Sequence, residues 1–180
     1  PEVHHTLEQL DRLHELVFAS GGMKELWNTE YGWPNGSPAE ERARTACYLR
    51  MLLLNDVAGV RQAVVYNWDR DYNTCHLPAV VALHYFAMRR QVARFVGATC
   101  KDNIWTVVYE RHKQPFAVQW TPMDGEFPPT IDGDATDAFG NALENPKISR
   151  LPVFFDKIPQ SVVDTHIQAQ AKRLQDRFLH

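Results

Sequence analysis

The sequence predicts an α/β fold followed by a small antiparallel β-sandwich. Across residues 1–98, apolar positions follow the order helix, strand, helix, strand, helix, which is typical of consecutive βα units. After Gly97 the pattern changes to short runs of period two, which predict antiparallel strands. Helical spacing returns from residue 161 to the end of the chain. We therefore expect two different sheets and a closing helix.

The first helix and strand are bounded by local signals. Apolar residues at helical spacing predict a helix over residues 7–20. Thr6 and Gln9 have the spacing of a capping box, and Gly21-Gly22 provides the stop. Residues 24–29 then predict a short strand.

The second helix has the strongest start signal in the chain. The string SPAE at residues 37–40 combines a hydroxyl N-cap, a proline at the first helical position and a capping-box glutamate. Gly59 is its predicted end. Four apolar positions mark its predicted buried stripe: Ala46, Leu49, Leu53 and Val57.

A nearly continuous apolar run predicts the second strand, over residues 60–68. Such runs are typical of parallel strands that are buried on both faces. A further helix is predicted over residues 79–95, ending at Gly97.

The sandwich begins with a predicted hairpin of residues 104–110 and 115–121. Further short strands are predicted near residues 135–139, 147–149 and 153–156. The closing helix has its predicted apolar stripe at Ile167, Ala171, Leu174 and Phe178.

Composition excludes several classes of partner. The net charge is −3 and the basic residues are scattered along the sequence, which argues against a nucleic-acid partner. No run approaches the roughly 20 apolar residues that span a bilayer, so no membrane partner is predicted. No phosphate-binding glycine loop or other cofactor motif is present. Three separated cysteines, Cys47, Cys75 and Cys100, leave the compartment open.

No metal site is predicted either. The aspartates Asp132, Asp134 and Asp137 have a spacing close to that of a calcium loop. The distal bidentate glutamate that such a loop requires is missing.

Glu30 is the candidate functional residue. It ends a predicted parallel strand, and ligands bind at the carboxyl ends of such strands. Strict alternation places Asn28 on the same face as Glu30. Trp33 follows in the chain, and Trp68 ends the next strand. A carboxylate among tryptophans suits sugar recognition, because aromatic faces pack on the apolar face of a pyranose.

Three strings carry a family resemblance. WNTEYGWP at residues 27–34 resembles the strand-7 motif of clan A retaining glycoside hydrolases, most closely family 39, with family 5 nearby. VYNWD at residues 65–69 resembles their strand 8, and LPVFF at residues 151–155 resembles the last strand of their appended sandwich. The resemblance spans about residues 1–156.

The resemblance implies a domain division. Residues 1–98 would be the C-terminal part of a (β/α)₈ TIM barrel, residues 99–158 its β-sandwich and residues 159–180 a C-terminal helix. Because the chain begins at Pro1 and contains two of the eight strands, we expect the remaining strands to lie upstream.

The resemblance also assigns roles. Glu30 would be the nucleophile of a retaining β-glycosidase, and the substrate-binding residues would be Trp68, Trp33, Asn28 and Tyr66. The acid/base of the family lies in an Asn-Glu pair on strand 4, which this sequence lacks. We therefore expect a carbohydrate substrate, no cofactor and no turnover by the isolated chain.

Two alternatives remain open. In the first, Trp33 and Trp68 hold a sugar without cleaving it, as in a carbohydrate-binding module. For Trp105 and Trp120 in the sandwich, sugar binding is the alternative to the core position that strand alternation favours. In the second, the chain is an α/β domain of unrelated function. The sugar, the linkage and the oligomeric state do not follow from the sequence.

Overall fold

The computed structural model describes residues 5–22, 24–31, 38–65 and 78–178. Within these residues, four helices and eight strands follow one another: α1 (Thr6–Ala19), β1 (Trp27–Tyr31), α2 (Pro38–Ala58), β2 (Gln62–Val65), α3 (Pro78–Arg90), β3 (Arg94–Lys101), β4 (Ile104–Arg111), β5 (Gln114–Trp120), β6 (Asp134–Thr136), β7 (Ala142–Leu143), β8 (Val153–Asp156) and α4 (Gln160–Phe178).

The predicted βα order is confirmed for the first part of the chain. β1 and β2 form a parallel pair, separated in sequence by α2. The four predicted stripe residues of α2, Ala46, Leu49, Leu53 and Val57, are all buried. Within the described residues the parallel sheet has two strands and is open, so a closed (β/α)₈ barrel is not formed by this part of the chain.

β2 corrects the expectation of a strand buried on both faces. Ala63 and Val65 pack with the buried residues Tyr48 and Ala79 of the helices. Between them, Val64 is 40% exposed. In the described residues the helices cover one face of this sheet, so its other face is open to solvent.

The second part of the chain forms one sheet rather than the predicted two-sheet sandwich. Its six strands are antiparallel, in the order β3-β4-β5-β8-β6-β7. The predicted hairpin (β4 and β5) and the strand at residues 153–156 (β8) are confirmed. Near residues 147–149 only an isolated bridge between Phe127 and Ile148 is formed.

Helices cover the faces that a second sheet was expected to cover. One face presents Val107, Tyr109, Phe116, Val118, Trp120 and Phe154 to a core that includes Leu49 and Leu53 of α2 and Phe86 of α3. The opposite face presents Val96, Val108, Ala117 and Phe155 to a core that includes Val163 of α4. Period-two alternation determines which side chains share a face, but not what covers it.

The helix predicted over residues 79–95 ends earlier, at Arg90. A turn with Val92 at positive φ follows, and residues 94–101 form the edge strand β3. The apolar residues near the helix end fit either element, because periodicity alone does not separate a short strand from a helix continuation. The predicted domain division after residue 98 falls within this strand.

The two terminal helices differ from their predictions in detail. The N-cap of α1 is His5, in a left-handed conformation without a side-chain cap bond, so the capping box of Thr6 and Gln9 does not define this end. On α4 the expected apolar stripe faces outward, since Ile167 and Leu174 are exposed. The inward positions include Val163 and His166, which are buried.

Charged side chains explain why α4 turns this way. Arg173 donates to both carboxylate oxygens of Asp11 on α1, at 2.8 and 2.6 Å. Arg177 also pairs with Asp11 and donates to the carbonyl of Ala58 at the end of α2. α4 therefore joins the six-stranded sheet to the helices of the βα layer.

α4 approaches β3 most closely at Gly97. A β-carbon at this position would overlap the carbonyl oxygen of His166 and lie 2.8 Å from its carbonyl carbon. Only a residue without a side chain allows this backbone-to-backbone contact.

We predict that Gly97→Ala destabilises the protein by about 2 kcal/mol, because overpacking of a rigid contact typically costs 1–3 kcal/mol. Urea denaturation would measure the change. Lys101→Ala, at an exposed position of the same strand, is the matched control. If Gly97→Ala and Lys101→Ala unfold with the same free energy, the close contact between Gly97 and the carbonyl of His166 is contradicted.

The stability should also fall at mildly acidic pH. His166 is buried, its Nδ1–H donates to the carbonyl of Val162 at 2.7 Å and its Nε2 accepts from the Thr99 hydroxyl at 3.1 Å. Burial lowers the pKa of His166 below its ordinary 6.5. The unfolded chain therefore binds more protons below pH 6.5.

The stability that neutral, buried His166 contributes to the folded state is fully present above pH 6.5. It is lost as the pH falls through the lowered pKa of His166. Burial and Arg177 lower the pKa of His14 as well, which acts in the same direction. His166→Gln should thus reduce the slope of unfolding free energy against pH between about pH 7.5 and 5.5 without abolishing it. An unchanged slope would exclude His166 as a contributor.

Candidate functional site

Glu30 lies at the carboxyl end of β1, as the sequence predicted. It is the fourth of five residues in the strand and its side chain is exposed. Since β1 and β2 are parallel, their carboxyl ends lie at the same edge of the sheet. Among the described residues, Glu30 has no hydrogen bond or ion pair, so its carboxylate is available to a ligand.

A bulge lies immediately before this edge. Asn28 pairs with Ala63 and Tyr31 pairs with Val65, so three steps along β1 correspond to two steps along β2. An extra residue of this kind interrupts the alternation of side chains and redirects those that follow. Bulges are common next to active sites for this reason.

Asn28 shows which way the strand faces before the bulge. Its Nδ2 donates to Oδ1 of Asn55 at 3.3 Å, and Asn55 is a buried residue of α2 whose own amide donates to the carbonyl of Met51. Asn28 therefore faces the helices. The predicted common face of Asn28 and Glu30 requires strict alternation, and the bulge between residues 28 and 31 interrupts it.

The open face of the two-stranded sheet carries exposed apolar side chains. Trp27 is 58% exposed, and Val64 on β2 is exposed as well. At the amino end of this face, Glu25 accepts from the Trp27 indole at 3.4 Å and pairs with Arg61 at 3.5 Å. A tryptophan and a valine are therefore exposed on the same face of two neighbouring parallel strands.

The aromatic residues expected beside Glu30 lie outside the described residues. These are Trp33, Tyr66 and Trp68, together with Asp69 of the strand-8 string. Their role as substrate contacts stays a prediction.

Two other tryptophans have a structural place. Trp120 is fully buried and stacks on Trp105 with ring centroids 5.6 Å apart. Both belong to the core between the sheet and the helices. This pair therefore stabilises the fold rather than forming the alternative sugar-binding surface.

A buried polar network was not identified from the sequence. Oδ2 of Asp56 on α2 accepts from the Tyr109 hydroxyl at 2.7 Å and from Nε of Arg90 at 2.9 Å. Burial raises the pKa of Tyr109 well above its ordinary value of 10.0, and Asp56 raises it further. The network joins α2, α3 and β4, and it leaves Asp56 committed to a structural role.

A second ion pair fastens α3 to the sheet. Nη1 of Arg89 donates to Asp156 at 3.0 Å. The same guanidinium lies over the ring of Phe116, 4.7 Å from the centroid. In the sequence, the charged residues of both networks look the same as charged residues that point into solvent. Neither network could therefore be identified from the sequence.

Two adjoining cavities lie at the amino-terminal ends of α2 and α3. The first, of about 490 Å³, is lined by Glu41 and Arg42 of α2 and by Pro78 of α3. The second, of about 440 Å³, shares Arg42 with it. In βα units the helices begin at the edge where the parallel strands end, so this space lies at the same end of the layer as Glu30.

In the described residues, no three histidine, cysteine or acidic side chains come together in a way that would hold a metal ion. In the same part of the chain, no helix has both the length and the apolar character needed to span a bilayer.

At the level of fold, the chain is similar to the solved structure of a family 39 glycoside hydrolase from the gut symbiont Bacteroides cellulosilyticus WH2, with a TM-score of 0.62 and 15% sequence identity. The similarity covers 83% of this chain and 37% of that protein. No family model and no curated protein matches the sequence.

We predict that Tyr109→Phe destabilises the protein by about 1–2 kcal/mol, because the half-buried Asp56 carboxylate loses the hydrogen bond from the buried Tyr109 hydroxyl. Asp56→Ala should cost more, since it leaves the Arg90 guanidinium without its carboxylate. Urea denaturation would compare both with Tyr66→Phe, which changes the same chemical group elsewhere. A stable Tyr109→Phe variant would show that the hydrogen bond contributes nothing net.

Proposed function

We propose that this chain is the C-terminal part of a retaining β-glycosidase in which Glu30 is the nucleophile. The observation that carries the proposal is the exposed carboxylate near the carboxyl end of a parallel strand, within the stretch where a bulge shifts the register. The family 39 fold similarity supports the same reaction class.

The reaction would follow the retaining scheme. The Glu30 carboxylate attacks the anomeric carbon and forms a glycosyl-enzyme, while a second carboxylic acid protonates the departing oxygen. Water then hydrolyses the intermediate, and the second group acts as base. Trp33, Trp68 and Tyr66 would pack against the sugar. Asn28 would act indirectly, because its amide is already bonded to Asn55.

The second carboxyl group is the part that this chain does not supply. In retaining enzymes the two groups lie about 5–5.5 Å apart, and by resemblance the partner belongs to an Asn-Glu pair on an earlier strand. The chain spans 37% of the similar solved protein. The exposed Trp27 and Val64 would then contact the earlier strands of the barrel.

A carbohydrate-binding module without turnover is the second candidate. The observation that favours it is the absence of any bond or ion pair to Glu30 within the described residues, since a nucleophile is normally oriented by neighbours. Titration with oligosaccharides separates binding from cleavage.

The test uses the chain alone and the chain joined to the upstream barrel segment of its own gene. We expect no turnover from the chain alone and hydrolysis of aryl β-glycosides, with retention, from the joined protein. Glu30→Gln should reduce that activity by roughly a thousandfold or more. A 2-deoxy-2-fluoro glycoside should label Glu30 covalently, as mass spectrometry of the peptides would detect.

Glu25→Gln is the matched control, because Glu25 is an exposed carboxylate near the opposite end of the same strand. It should keep full activity. If the isolated chain hydrolyses the substrate and Glu30→Gln abolishes this activity, the proposal that the acid/base carboxyl group lies outside this chain is wrong. Labelling of another carboxylate would contradict the role of Glu30.

A further inference from the structure

The two cavities at the start of α2 adjoin and form one groove between the helices of the βα layer and the loops of the six-stranded sheet. They share four lining residues, Arg42, Glu126, Ser149 and Leu151. Volumes of about 490 and 440 Å³ lie within the usual range for small-molecule sites. Because each cavity is large enough for a small molecule, the two together have room for a chain of linked units.

The lining combines the groups that bind uncharged sugars. Phe139 contributes a half-buried aromatic ring, and Asn145 and Lys147 contribute exposed hydrogen-bonding groups. Carboxylates and cations are nearly balanced: Arg150, for example, pairs with Asp124 at 3.0 Å. A groove without a dominant charge does not select a polyanion, whereas an aromatic ring with amide and carboxylate groups suits sugar hydroxyls and the apolar face of a pyranose.

Glu41 adds an independent observation. Its Oε1 is held by Arg44. Its Oε2 is buried and, within the described residues, accepts no hydrogen bond. A carboxylate oxygen without a donor is costly, and Glu41 is itself one of the residues that line the groove.

We propose that this groove binds a β-linked, uncharged oligosaccharide and so forms a glycan subsite beyond the one at Glu30. The inference rests on the proposed function for its ligand class. It assigns a role to the loops on either side of β7, which contribute Phe139, Asn145 and Lys147, and it places the subsite at the same end of the βα layer as the candidate nucleophile.

The experiment titrates the 180-residue chain with cellohexaose and with xylohexaose and follows backbone amide signals by NMR. We expect shifts at residues 139, 145 and 147, and an affinity in the range of a weak sugar complex, with a Kd on the order of 1 mM or tighter. The double variant Asn145→Ala and Lys147→Ala, at exposed positions, should weaken binding about tenfold.

Lys113→Ala, at the exposed tip of the β4–β5 hairpin, is the control and should bind normally. Phe139→Ala should also weaken binding, with a thermal melt to verify folding. No binding of either hexasaccharide at about 10 mM, or binding that the double variant leaves unchanged, would overturn the proposal. The covalent labelling of Glu30 is a separate measurement, so failure of the groove and failure of the nucleophile are distinguishable.

Discussion

The packing of α2 and α3 against one face of the six-stranded sheet is the constraint on which the rest of the structure depends. Leu49 and Leu53 of α2 and Phe86 of α3 share one core with Tyr109 and Phe154 of the sheet. One apolar side of each helix packs against this sheet. α2 also provides Asn55, which accepts a hydrogen bond from Asn28 of β1. The direction of β1, and with it the position of Glu30, therefore depends on a core formed mostly by residues far along the chain.

Polar contacts give this packing a defined orientation. The burial of apolar surface does not favour one orientation of the packed elements over another. The hydrogen bonds from Arg90 and from the Tyr109 hydroxyl to Asp56, in contrast, require fixed positions of these groups. Arg89 does the same with Asp156 at another point of α3. Removing one member of such a buried pair costs more than the pair contributes net, because the remaining charge loses its partner. These residues fix the angle between the βα layer and the sheet, and the groove at the start of α2 lies along that junction.

Local sequence patterns predicted the structure correctly where it depends on a single helix or hairpin. The stripe of α2, its end at Gly59 and the β4–β5 hairpin follow from spacing and turn chemistry within a few residues. Patterns were insufficient where a second element decided it. The outward face of Ile167 on α4 depends on Asp11, which is far away in sequence, because two arginines of the helix pair with it. The strand β3 was missed for the same reason, since it exists by pairing with β4.

The sequence by itself determined that Glu30 lies near the carboxyl end of a strand, because the spacing and the boundaries of a strand are local properties of the chain. Only the tertiary structure decided whether Asn28 and Glu30 are related by strict alternation. The register between β1 and β2 differs by one residue between Asn28 and Tyr31, and register is a property of two strands together. The physical reason is that the side-chain direction reverses with each step of a strand, so one extra residue in the pairing interrupts the alternation on which the expected common face of Asn28 and Glu30 depends.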